Sequence, residues 1–113
     1  MLIQIFQVVA AVGTILTGLV SMLRPRAVRS FTGLEVENPR GITEIRAVLG
    51  GFFVALGATP LILGDPVTYR MLGIAYLLVG VVRAVSMFVD ESLARSNVIS
   101  LIVEIVFGTI LVL

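Results

Sequence analysis

Two side chains carry a full charge inside long apolar runs of this 113-residue chain: Arg83, between Val79 and Met87, and Glu104, between Leu101 and Gly108. A charge at the middle of a membrane helix costs about 2.5–3.5 kcal/mol, so such groups face inward and pair. A guanidinium presents a planar fork of donors that suits a buried carboxylate, and the pair these two residues offer each other is a charge-assisted one. Two kinds of role are open to that pair. In one, it fixes helix register and rotation and binds nothing. In the other, Arg46, Arg83, Glu104, Tyr76 and Asn97 line a pocket able to hold an anionic headgroup, a small solute or a proton in transit. Glu44, beside Arg46, is a further candidate for the centre, and Asp90, one heptad beyond Arg83, is a second partner for that arginine.

Other chemistry finds little support. The chain has no cysteine and no histidine, which removes thiol chemistry, iron–sulfur ligation and the usual haem and zinc ligands. There is no glycine-rich phosphate loop, no Ser/His/Asp set and no metal-ligand spacing, and Glu44 with Glu104 is the sole deep pair of acids for proton transfer. No catalytic residue, metal or cofactor is therefore assigned. The eight basic residues are all arginines scattered through turns and helix ends, and the net charge is +1, so nucleic acid is not an expected partner.

The frame for these residues follows from composition. The chain is 58% hydrophobic and 13% charged, with a mean hydropathy of +1.14, whereas soluble domains are about 45–50% apolar. A single domain is expected, residues 1–113, with the lipid bilayer in place of a large soluble core. About 20 apolar residues cross the hydrocarbon layer as a helix. Four stretches reach or approach that length, at about residues 2–23, 42–63, 67–89 and 95–113. Arg24-Pro25-Arg26 stops the first, Thr43 is the expected N-cap of the second, Gly64-Asp65-Pro66 is the next turn, and Asp90-Glu91 ends the third. The fourth begins between Ser92 and Asn97. The N-terminal run has no basic leader and no small-x-small site before Arg24, and is read as a retained span. The predicted fold is all-α, an integral membrane four-helix transmembrane bundle. Between spans one and two, Val28, Phe31 and Leu34 recur at helix-like spacing among arginines. That segment is either a short interfacial helix or an irregular loop ending in the Asn38-Pro39-Arg40-Gly41 turn.

Depth along the spans pairs the charges. At 1.5 Å per residue, Arg83 lies about 9 Å inside the end of span three and Glu104 about 10 Å inside the same end of span four. A short turn then brings the two together, with Arg46 and Glu44 near enough to join. Each span also carries a stripe of small or polar residues, such as Ala11, Thr14 and Gly18, or Gly73 and Gly80, of the kind that lets helices approach closely in lipid. An even number of spans puts both termini on one side. The opposite side collects Arg24, Arg26, Arg29, Arg40, Arg46 and Arg95, and the positive-inside rule makes it cytoplasmic, with both termini outside.

Glu44-Ile45-Arg46-Ala47, then Gly50-Gly51 and Ala55-Leu56-Gly57, then Arg83, Ser86, Asp90, Asn97 and Glu104 together resemble an uncharacterised bacterial four-helix membrane family, domain-of-unknown-function family 4345, which is DoxX-like in layout. The resemblance covers about Gly41 to Leu113, with span one similar in hydropathy alone. It implies a four-helix fold in a bacterial inner membrane and brings no established activity. Such families show Asp-Gly after span three where this chain has Asp90-Glu91. Small multidrug-resistance transporters are similar in architecture, but their span-one glutamate is replaced here by Gln4 and Gln7.

The expected function is that of a non-enzymatic integral membrane protein, an accessory, assembly or lipid-contacting subunit, alone or in a homo-oligomer or larger membrane complex. The alternative is a small transporter or solute-binding protein that uses the Arg83/Glu104 centre.

Overall fold

The computed structural model describes residues 1–113 and contains helices and turns without strands. Four helices are long and apolar enough to cross a membrane: α1 (Leu2–Leu23), α2 (Pro39–Leu63), α3 (Pro66–Val89) and α4 (Arg95–Val112). They fall into two compact units, one formed by Val8–Gly64 and the other by Met1–Gln7 with Asp65–Leu113.

In the first unit the body of α1 packs antiparallel on α2 through small residues. Gly57 meets the Ala11 carbonyl and Ile15, and Gly18 meets the Gly50 carbonyl and Val54, so closely that a Cβ on either glycine would fall within 2.9 Å of those atoms. The two glycines of α2, Gly50 and Gly57, stand a heptad apart, as do Ala11 and Gly18 of α1, the repeat expected where helices cross at a shallow left-handed angle. Three hydroxyl side chains of α1 bond within the helix, Thr14, Thr17 and Ser21 each donating to the carbonyl four residues back at 2.9 Å.

The segment after α1 is partly helical. Pro25–Val28 form a 3-10 turn and Arg29–Thr32 one α-helical turn, closed by Gly33 at φ 77°. A short helix is therefore present here, with Val28 fully buried. The helix α2 starts earlier than 42. Asn38 is its N-cap, accepting from the Gly41 amide at 2.8 Å, and Pro39 occupies the first helical position. The Asn-Pro pair opens a helix because proline has no N–H to leave unpaired there and its φ is already helical. Thr43 instead donates back to the Pro39 carbonyl. From Ile45 to Phe52 the helix is wound as a π-helix, around the Gly50-Gly51 pair that makes such widening inexpensive.

In the second unit, α3 and α4 form an antiparallel hairpin. Asp65 caps α3 through the Val67 amide at 2.9 Å, with Pro66 at the first helical position. The register runs Gly73 against Leu111, Leu77 against Gly108, and Gly80 against Glu104. Gln7 donates to the Ile110 carbonyl at 3.0 Å, supplying a donor to one of the unpaired carbonyls in the last turn of α4. The hairpin turn is a Schellman closure: the Ser92 amide donates to the Met87 carbonyl and Glu91 sits in the left-handed region at φ 52°. The position that glycine usually takes is thus held by glutamate with the geometry unchanged.

Large apolar side chains point outward along every span, among them Ile62 at 79% and Phe88 at 77% exposure, while the buried set is dominated by small residues such as Ala10, Ala11, Thr14 and Ser21. This inverts the arrangement of a water-soluble core and is the packing that lipid selects.

Candidate functional site

The α3–α4 hairpin carries the polar site. Arg83 lies six residues before the end of α3 at Val89, and Glu104 nine residues after the start of α4 at Arg95. The three-residue offset, about 4.5 Å of helix rise, is closed by side-chain direction. Helical side chains lean toward their own N-terminus, so in an antiparallel pair Arg83 leans away from the turn and Glu104 toward it. Arg83 Nε donates to both Glu104 carboxylate oxygens at 2.8 Å, and Nη2 reaches Oε1 at 2.6 Å. Gly80 provides the room, since a Cβ there would lie 3.6 Å from Glu104 Cβ and 3.9 Å from its Oε2.

Asn97 completes the network from both sides. Its Oδ1 accepts from Arg83 Nη1 at 2.9 Å, and its Nδ2 donates to the Ser92 carbonyl at 2.9 Å. The amide thereby ties the ion pair to the hairpin turn. Glu104 is buried at 7% exposure, whereas the Arg83 side chain keeps 30%. No buried side-chain nitrogen or oxygen is left without a hydrogen-bond partner.

The remaining candidates have other partners. Arg46, on the π-wound part of α2, donates to the Met22 carbonyl, in the last turn of α1, where a cation complements both the unpaired carbonyls and the negative end of the helix dipole. Glu44 pairs with Arg40 one turn back at 2.7 Å. Asp90 accepts from the Ser86 hydroxyl at 2.6 Å rather than from Arg83; a partner four residues away on the same helix face is nearer than one seven away. Tyr76 stacks edge-on against Phe107 with ring centroids 5.6 Å apart. Ser92 and Ser86 are participants that charge and depth alone did not single out. Their signal was Asn97 within five residues of a turn serine, and the i, i+4 spacing of Ser86 and Asp90.

Arg83 and Asn97 also line an open groove along α3. No three acidic side chains gather as they would around a metal ion. Fold and site together define a class: a small all-α protein of four membrane-length helices, two of them joined by an Arg–Glu–Asn network. The chain belongs to the family described as Domain of unknown function (DUF4345), whose model matches residues 2–113. The family match thus takes in α1 as well as the region from Gly41 onward. Compared with curated proteins and with solved structures, the chain matches none.

Proposed function

We propose that this is a non-enzymatic, multi-pass protein of a bacterial inner membrane, a lipid-contacting or assembly subunit in which Arg83, Glu104 and Asn97 act as a latch holding α3 to α4. The observation that carries this reading is the closure of the network on itself: both carboxylate oxygens and all three guanidinium nitrogens are engaged. A site built to bind a charged solute keeps an unmatched charge, whereas a pair whose charges balance, with an amide stitched to the turn, fixes register. The outward apolar surface supports lipid as the surrounding medium. The arginines clustered at the α1–α2 connection, Arg24, Arg26, Arg29 and Arg40, with Arg95 at the start of α4, support a cytoplasmic placement of the α1–α2 and α3–α4 connections, with both termini outside.

Glu104→Gln tests the latch. A latch predicts a protein that unfolds more readily in detergent, as followed by helical circular dichroism. A transport site predicts unchanged stability with loss of proton or solute coupling in vesicles, and that result would replace the latch with the transporter reading.

A further inference from the structure

Resting on the lipid-contacting reading above, we propose that the groove beside Arg83 is a site for one phospholipid with a zwitterionic headgroup, its acyl chain along α3, its phosphate on Arg83 and its ammonium on Asp90. The groove has a volume of about 570 Å3, within the range of about 300–1,000 Å3 typical of ligand sites. Its floor is ordered by polarity along α3, with Asn97 added from α4. Ala75, Leu78, Val79 and Val82 form the apolar stretch, and Arg83, Ser86 and Asn97 the polar end nearer the turn. Leu78, Val79 and Val82 are 63%, 46% and 61% exposed, so the stretch is open to an acyl chain. An amphiphile lying in it would have its tail toward the middle of the span and its headgroup toward the α3–α4 turn, the orientation that a lipid of the adjoining leaflet has in any case.

The charges select the headgroup. A guanidinium has five N–H donors. Nε–H and one N–H on each terminal nitrogen of Arg83 are used by Glu104 and Asn97, which leaves one N–H on each terminal nitrogen for a phosphate oxygen. Glu104 already balances the arginine's charge, and Asp90, bonded to the groove residue Ser86 at 2.6 Å, adds a negative charge close by. A purely anionic headgroup would gain the two N–H contacts and meet that repulsion. A headgroup of both signs uses both ends. Arg83 and Asp90 are separated by seven residues, about 10.5 Å of helix rise. Four bonds from phosphorus to nitrogen, with a charge-assisted contact of about 3 Å at either end, cover that separation.

The test is native mass spectrometry of the full chain in detergent, with equimolar phosphatidylethanolamine, phosphatidylglycerol and a free fatty acid supplied as probes. The expected result is a predominant single phosphatidylethanolamine adduct. Asp90→Asn should lower the ethanolamine-to-glycerol lipid ratio about fivefold, the size of one charge contact at a membrane surface. Val79→Trp, and separately Val82→Trp, should reduce retention of every phospholipid by filling the groove without touching either charge. Both valines are exposed, and unchanged helical content is the control for folding. A predominant phosphatidylglycerol or fatty-acid adduct, an unaltered ratio in Asp90→Asn, or undiminished retention in both tryptophan variants would overturn the site. A headgroup-blind protein whose Glu104→Gln variant still loses stability removes the lipid site and leaves the latch standing. Ethanolamine selectivity in a protein whose Glu104→Gln variant is as stable as the parent does the reverse.

Discussion

Removing the charge at position 104 reads the ion pair most directly, because little else changes. Glutamine has the shape of glutamate, and the space left by Gly80, with its nearest would-be contact 3.6 Å away, accommodates either. Breaking a buried pair by deleting one partner costs about 3–5 kcal/mol, since the other charge stays buried and uncompensated. Arg83 retains 30% exposure of its side chain and its bond to Asn97, which lowers the expected loss for Glu104→Gln to about 2–3 kcal/mol. Arg83→Met should cost more, about 3–5 kcal/mol, because the carboxylate it strands is only 7% exposed. The decisive variant is the double Arg83→Met/Glu104→Leu. An apolar pair of similar volume strands no charge and is commonly neutral or stabilising, so the double should be more stable than either Arg83→Met or Glu104→Leu. Reversible unfolding in mixed micelles, followed by circular dichroism, gives all four corners of the cycle. If the double variant loses the sum of the two single losses, the side chains act independently, and the latch reasoning fails.

Gly73→Ala and Gly80→Ala should part company, although both glycines lie on the same face of α3. A Cβ at Gly73 would sit 2.9 Å from the Gly108 carbonyl oxygen and 2.8 Å from Leu111 Cβ, contacts that the backbone must move to relieve, whereas Gly80 has nothing nearer than 3.6 Å; the first should lower the thermal midpoint by the equivalent of about 1–3 kcal/mol and the second by no more than about 0.5 kcal/mol. Equal midpoints would mean that the α3–α4 approach is looser than the register implies. Glu91→Gly relieves a left-handed residue at φ 52° and should stabilise by about 0.5–1 kcal/mol, the strain relieved less the greater unfolded-state freedom of glycine; a lower midpoint would contradict it. Arg46→Ala removes the donor to the Met22 carbonyl and should cost about 0.3–1 kcal/mol, visible as faster amide exchange in the last turn of α1, with exchange there unchanged if the cap is idle.

The pairing of Arg83 with Glu104 was legible in the sequence because depth along a span is set by a fixed rise per residue and the two spans share one short turn. The four apolar runs were legible for the same reason, as a length and a composition. Lateral choice is different. Arg46 and Glu44 also have the right depth, but depth does not say which of several acceptors a side chain turns toward. Arg46 takes a helix-end carbonyl on its own antiparallel partner, and Glu44 an arginine one turn away. Local ambiguity hid two further features. Asn38-Pro39 reads equally as a turn and as a cap with proline at the first helical position, and the bond from the Gly41 amide to the Asn38 side chain identifies the cap. The π-wound stretch from Ile45 to Phe52 is announced only by Gly50-Gly51, which permits widening without requiring it, and Gly50 lies directly against Met22 of α1. In a chain of this kind a polar residue reveals its partner from sequence when a connection of a few residues ties their two helices at one end. Elsewhere the partner is chosen by helix rotation, which the small-residue stripes set only after the helices have met.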